Sequence, residues 1–250
     1  GTYMKKYRYE RCFPREIGEV QEKNIPLVIA GGTVEYHGPQ CSYGCDTLIV
    51  EGLLEKLADE KEIMIAPSIH YSPSSYAVGD EKSGTVHVEE RAFENYVYYV
   101  FKSLLNAGFR NIYVVIHHQF EQESEMPMTL CYRLAAKRAT MEYLEKIYGQ
   151  GWWGSERYAS YYEQLEGANN PFNWIQVIPT MDTAVQNATG YDHAGKFECS
   201  LLMALYPDCV DLSRIDDVKH WFTQSARQAD PELGEKMAKL SLEYLKQRIV

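Results

Sequence analysis

Apolar runs and helical spacings alternate along most of the chain. Ile25 to Gly32 is a continuous apolar run closed by two glycines, the pattern of a strand buried on both faces that opens into a loop. From Thr47 to Leu57 the apolar positions Leu48, Ile49, Leu53, Leu54 and Leu57 repeat at the helical period. Ile63 to Ala66, just before Pro67, predicts a second strand. Asn111 to His117, rich in β-branched residues, predicts a third, and Trp174 to Ile178 a further one. Val88 to Ala107, stopped by Gly108, and Met126 to Tyr148 predict long helices, and Lys196 to Leu205 a shorter one. Two C-terminal stretches, 214–228 and 231–248, complete the helical set.

Strands that alternate with helices favour a mainly parallel sheet, because crossover helices bring consecutive strands parallel and cover both faces. The expected fold is therefore α/β, a three-layer α/β/α sandwich, with residues 1–250 forming one domain. In such sheets the chemistry gathers in loops at the carboxyl ends of strands, which here begin near Gly32, Pro67, His117 and Pro179.

Composition narrows the class. A chain of 250 residues, 45% hydrophobic and 24% charged, has material for one sizeable core, which excludes a disordered chain and a disulfide-stapled miniprotein. With 25 Lys and Arg against 35 Asp and Glu, the formal charge of −10 argues against a nucleic-acid partner. No run approaches the ~18 apolar residues of a membrane span, and the first residues lack the apolar centre of a signal peptide, so a cytoplasmic setting is expected. The six cysteines are scattered and predict thiols rather than disulfides. Cys41 and Cys45 have a spacing that could hold a soft metal, without the second pair that would complete a structural zinc site. The 20 tyrosines fit an oligomer interface as well as a binding cleft.

The loop after the first strand carries Glu35, His37 and Asp46. In an extended segment Glu35 and His37 point the same way. Asp46 would open the following helix, where a carboxylate is favourable with or without a metal. His117 and His118 follow the third strand at the same edge of the sheet, so glutamate, aspartate and histidines converge from two loops. That mixed nitrogen and oxygen set suits zinc, manganese or iron, with a shared carboxylate able to bridge two ions. Such a centre lowers the pKa of water and polarises a carbonyl.

These residues resemble the creatininase (creatinine amidohydrolase) family. Its loop reads Gly-Ser-x-Glu-Gln-His-Gly-Pro-His followed by an aspartate, and Gly32 to Gln40 with Asp46 keep that spacing. Its Asn-Gly-His-Gly-Gly-Asn segment, after a strand introduced by Gly-Phe, aligns with Gly108 and Phe109 and then Ile116 to Glu121, so His118 takes the histidine position. Ser83, Gly84 and Thr85 match a Gly-Thr segment, and His193 to Ser200 resembles His-Ala-Gly-Glu-x-Glu-Thr-Ser. The resemblance implies a cytoplasmic hydrolase of small, often cyclic, amides with one or two divalent ions (zinc, manganese or iron), commonly a hexamer. Carried over by position, Glu35, Asp46 and His118 would hold one ion, and His37 with the bridging Asp46 the second. A bridging hydroxide would attack the carbonyl, and His193, with Glu198 close behind it, would protonate the leaving amine.

The departures matter too. Creatininases carry a second-metal glutamate two residues after the metal histidine, where this chain has Phe120; Glu121 lies one residue away, and Ile116, His117 and Gln119 replace Asn, Gly and Gly. A mononuclear or altered site, a formamide-hydrolysing or peptide-cleaving relative, and a catalytically impaired metal-binding homologue stay open as alternatives. His70 could line the cleft but fits a core or rim position better, while His87 and His220 read as surface residues. Trp152 and Trp153 form a glycine-flanked loop that could cover a planar substrate or pack against a neighbouring subunit. No serine-nucleophile elbow and no phosphate-binding glycine loop is present.

Overall fold

The computed structural model describes residues 6–118, 125–167 and 169–250. Strands β1 (Tyr7–Arg8), β2 (Leu27–Gly31), β3 (Met64–Ile65), β4 (Ile112–Ile116) and β5 (Ile175–Pro179) form a sheet in the order β1-β3-β2-β4-β5, with every pair parallel. Around it lie helices α1 (Pro14–Glu22), α2 (Cys45–Ala58), α3 (Glu90–Ala107), α4 (Pro127–Tyr148), α5 (Thr183–Thr189), α6 (Lys196–Leu205) and α7 (Pro231–Arg248).

Period-two alternation divides each central strand between two cores. Leu27 and Ile29 of β2, with Ile112, Val114 and Ile116 of β4, pack with Phe93 and Phe101 of α3 and Tyr132 of α4. Val28, Ala30, Tyr113 and Val115 face the other way, onto Ile49 and Leu53 of α2, Leu202 of α6 and Leu245 of α7. Both faces are covered, as the expected three-layer sandwich requires. Among the described residues no helix is long and apolar enough to cross a membrane.

Register decides where the loops start. Gly31 pairs with Ile116, and Ile116 with Pro179, so β2, β4 and β5 end on one rung. The loops carrying Glu35, His118 and the segment towards His193 therefore leave the sheet side by side.

Several elements differ from expectation. The helix expected over 214–228 is replaced by two 3-10 segments, Leu212–Arg214 and Trp221–Gln228. Asp211 accepts hydrogen bonds from Ser213 N and Arg214 Nε at 3.1 and 2.9 Å, which holds a tight turn. Val218 and Trp221 are 47% and 90% exposed, so the segment has no continuous apolar face for a full helix to bury. Strand β3 covers only Met64 and Ile65, and the last ladder bond before Pro67 runs from Ala66 N to the Val28 carbonyl at 2.9 Å; the missing N–H of Pro67 cannot extend it. Unforeseen are α1, started by Pro14 at its first position and anchored by buried Val20, and the short α5, capped by Asp182 accepting from Val185 N at 3.0 Å.

Gly32 lets α2 approach the sheet. A Cβ there would lie 2.2 Å from Thr47 Oγ1 and 2.5 Å from Thr47 N, and a backbone atom cannot yield as a side-chain tip can. Gly32→Ala is expected to lower stability by about 1–3 kcal/mol, read as a reduced urea midpoint at unchanged slope. A midpoint equal to that of the unaltered chain would show that the contact imposes no constraint.

Candidate metal centre

The loop between β2 and α2 is pinned on several sides, which fixes the side chains it carries. Val34 bridges Val86, and Cys41 bridges Val210. Tyr36 N donates to Thr85 Oγ1 at 2.9 Å, and Gln40 Nε2 donates to the Ala194 carbonyl at 2.8 Å. Gly38 turns the chain at φ 79°, where a Cβ would also collide with Gln40 and Thr223.

Glu35, His37, Asp46 and His118 are all buried and all meet. His118 Nδ1 lies 3.0 Å from Asp46 Oδ2 and 3.5 Å from Glu35 Oε1. His37 Nδ1 lies 2.9 Å from the Glu35 carbonyl oxygen, which can only accept, so Nδ1 carries the hydrogen and Nε2 is left as the ligating edge. That Nε2 is 3.2 Å from Asp46 Oδ1, 3.2 Å from Glu198 Oε1 and 4.0 Å from Glu35 Oε1. Thr33 Oγ1 donates to Asp46 Oδ2 at 2.7 Å. Asp46, in the first turn of α2, thus faces inward and does not cap its own helix.

Among the described residues, three sets each bring their ligand atoms within 4.8 Å of one another: Glu35, Asp46 and His118; His37, Cys45, Asp46 and Glu198; and Glu35, His37 and His193. Glu35 Oε1, His37 Nε2 and His118 Nε2 are buried without a hydrogen-bond partner among the described residues. Buried polar atoms are rarely left so, and these donor types fit a divalent ion of the zinc or manganese kind.

His193 and Glu198 sit on the far wall. The His193 ring lies against His37, with centroids 4.4 Å apart, and its Nε2 has no hydrogen-bond partner among the described residues. Asp192, not His193, holds the start of α6, accepting from the backbone N–H of Gly195, Phe197 and Glu198 at 3.0 to 3.2 Å. Glu198 Oε1 accepts from Ala194 N at 2.8 Å, and Oε2 lies 2.7 Å from His117 Nε2. The cavity they enclose is about 180 Å³ and is also lined by Met181 and Phe197.

Sequence reasoning assigned no role to His117, Thr33, Gln40 or Asp192. His117 was visible as half of a histidine pair, and Asp192 as a helix-starting residue before an apolar run. Thr33 and Gln40 lay inside the matched loop, at its serine and last histidine positions, with no role attached to either. Phe120 and Glu121 lie outside the described residues. His70 is exposed and does not line the cavity. His87 and His220 are half-buried, not free surface residues: His87 Nδ1 accepts from Ser75 N at 3.0 Å, and His220 Nε2 lies 2.7 Å from Tyr36 Oη. Trp152 is buried beside Tyr158 and Phe172, Trp153 stands with Tyr161 and Tyr162, and neither reaches the cavity.

A parallel α/β sandwich with carboxylates and imidazoles gathered at its carboxyl edge is the class this geometry defines. The family model Creatininase, described as creatinine amidohydrolase, matches residues 11–249, and the chain belongs to that family. It is similar to a creatinine amidohydrolase of Pseudomonas putida, 23% identical over 76% of this chain and 68% of the relative. It is also similar to a 3-dehydro-scyllo-inosose hydrolase of Thermotoga maritima, 25% identical over 73% of this chain and spanning half of that relative's length. A crystal structure of creatinine amidohydrolase superposes with a TM-score of 0.73 at 19% identity, covering 98% of both chains, and so shares the fold. Matches of the same quality include a Zn-Zn form, a manganese form and a creatine complex of creatininase.

Charge in the cluster is mutually compensating. Burial works against protonated His37, but Glu198 and Asp46 outweigh it and hold its pKa well above the ordinary value. Burial opposes protonated His118 too, and Asp46 and Glu35 carry it to about 10. His117 is raised against its burial by Glu198. Asp46 and Glu198 are pushed up by burial and down further by the imidazoles, ending well below the carboxylate range. Raised imidazoles stabilise the fold fully below ~6.5 and lose that contribution as pH climbs through their folded values, while depressed carboxylates stabilise it above ~4 and fail as pH falls. The metal-free protein should therefore have its highest Tm between about pH 4.5 and 6.5, with a decline towards pH 10. A metal-free Tm that rises steadily from pH 6.5 to 9 would contradict this charge assignment.

Proposed function

We propose that the protein is a metal-dependent amidohydrolase that cleaves the amide bond of a small, cyclic substrate. The observation that carries this reading is Asp46, whose carboxylate belongs to two adjoining sets of buried ligand atoms. Glu35, Asp46 and His118 would hold one ion, and His37 with Asp46 a second. Bound there, zinc or manganese would supply Lewis acidity, polarising a carbonyl and lowering the pKa of water. The Zn-Zn and manganese forms of the creatininase relatives support that choice of ions.

The remaining steps belong to the chain's own groups. His193 Nε2, free of hydrogen bonds at the cavity edge, is in place to deliver a proton to the departing nitrogen. Glu198 positions it, because its Oε1 holds Ala194 N next in the chain. Phe197 and Met181 give the cavity an apolar wall suited to a compact ring. The exposed side chains of Leu130, Leu134 and Met141 along α4 support self-association, while a cytoplasmic setting rests on the family resemblance alone.

Stripping the metal with a chelator should abolish hydrolysis across a panel of small cyclic amides, and restoring zinc or manganese should recover it. His118→Ala should lose bound metal, measured by inductively coupled plasma mass spectrometry. His193→Ala should keep its metal while kcat falls by about 10²- to 10⁴-fold. Undiminished turnover by metal-free protein would remove the proposal.

A further inference from the structure

The second set of ligand atoms contains a sulfur. His37 Nδ1 is committed to the Glu35 carbonyl, so its Nε2 faces Asp46 Oδ1 and Glu198 Oε1, 3.2 Å from each. An imidazole lone pair and two carboxylate oxygens repel one another in a buried site unless a cation lies between them, either a proton on Nε2 or a metal ion. His37 is 1% exposed, and its Nε2 has no hydrogen-bond partner among the described residues.

Cys45 Sγ belongs to the same cluster as His37, Asp46 and Glu198, with all four ligand atoms within 4.8 Å of one another. Zinc holds sulfur at about 2.3 Å and nitrogen or oxygen at about 2.0–2.2 Å, so in a tetrahedral site two ligands of one ion stand roughly 3.3–3.6 Å apart. His37 Nε2 already stands 3.2 Å from Asp46 Oδ1 and from Glu198 Oε1, close to that spacing, and Cys45 Sγ lies within 4.8 Å of the same group. Cys45 is the first residue of α2, immediately before Asp46 and fully buried, so the helix that positions the shared carboxylate also positions the thiol. Cys41 lies within hydrogen-bonding reach of Cys45 and Cys199, which gives the sulfur polarizable neighbours.

We infer that the second metal position of this protein takes Cys45 as a thiolate ligand together with His37, Asp46 and Glu198. This rests on the metal-dependent reading above and adds to it. The thiol gives up its proton to solvent as the ion enters. The two positions then differ in kind: Glu35, Asp46 and His118 offer two oxygens and a nitrogen, while the second offers sulfur, nitrogen and two oxygens. A thiolate selects zinc, cobalt or iron over manganese or magnesium, so the two positions should fill with different preferences. Glu198 supplies there a carboxylate that the segment after His118 does not offer at Phe120.

The test uses the whole chain, stripped of metal and reloaded with cobalt(II), whose thiolate complexes show a near-ultraviolet charge-transfer absorption absent from oxygen and nitrogen sites. The absorption should appear in the unaltered protein and persist in the double variant Cys41→Ser/Cys199→Ser, which leaves Cys45 as the remaining thiol of the group. It should vanish in Cys45→Ser. Loaded from an equal mixture of zinc and manganese, Cys45→Ser should show at least a tenfold smaller preference for zinc at one of its two positions, by mass spectrometry of bound metal. Cobalt bound without the absorption, or an absorption lost in the Cys41/Cys199 variant, would overturn the sulfur ligand while leaving the amidohydrolase reading intact. An unaltered protein that binds neither cobalt nor zinc would overturn both.

Discussion

Asp46 carries a charge that the fold must accommodate before anything else at this sheet edge can be settled. An isolated carboxylate at 2% exposure would cost several kcal/mol in desolvation, so it survives only with partners on every side. They arrive from separate segments: Thr33 from the loop after β2, His37 further along that loop, and His118 from the end of β4. Each partner depends on the parallel register that ends β2, β4 and β5 on one rung, and on Gly32 letting α2 come close enough. The centre is therefore a product of the sheet and not of any loop alone. Its imidazoles and carboxylates hold one another charged, and a divalent ion would substitute for the protons that now perform that service.

Much of the frame was legible because buried parallel strands announce themselves as unbroken apolar runs. Ile25 to Gly32 and Asn111 to His117 read as strands for that reason, and their carboxyl ends located the chemistry. Glu35, His37, Asp46 and His118 were recoverable because their spacing matched a family loop, and the structure brings all of them together with His193 and Glu198. Local amphipathicity misled at 214–228, where charged turn chemistry at Asp211 prevails over a weak helical period.

What the sequence withheld were relations between distant residues. Nothing in Gln40 announces that its amide will hold the carbonyl of Ala194, and nothing in His117 announces a carboxylate from α6 at 2.7 Å. The spacing of Cys41 and Cys45 could hold a soft metal but lacked the second pair of a structural site, so the cysteines read as plain thiols. In the fold Cys45 instead turns towards His37, Asp46 and Glu198.

The wide separation along the chain of the groups at this centre bears on how the protein folds. Loops from residue 35 to residue 198 must close before the cluster exists, so a partly folded chain presents no preformed cage, only single imidazoles and carboxylates. Ion capture would then come after topology is complete, and a bound ion would act as a latch on the finished sheet. A chain that stalls with β5 or α6 undocked would have no site for an ion and would stay open to proteolysis, so metal retention would report on completed folding.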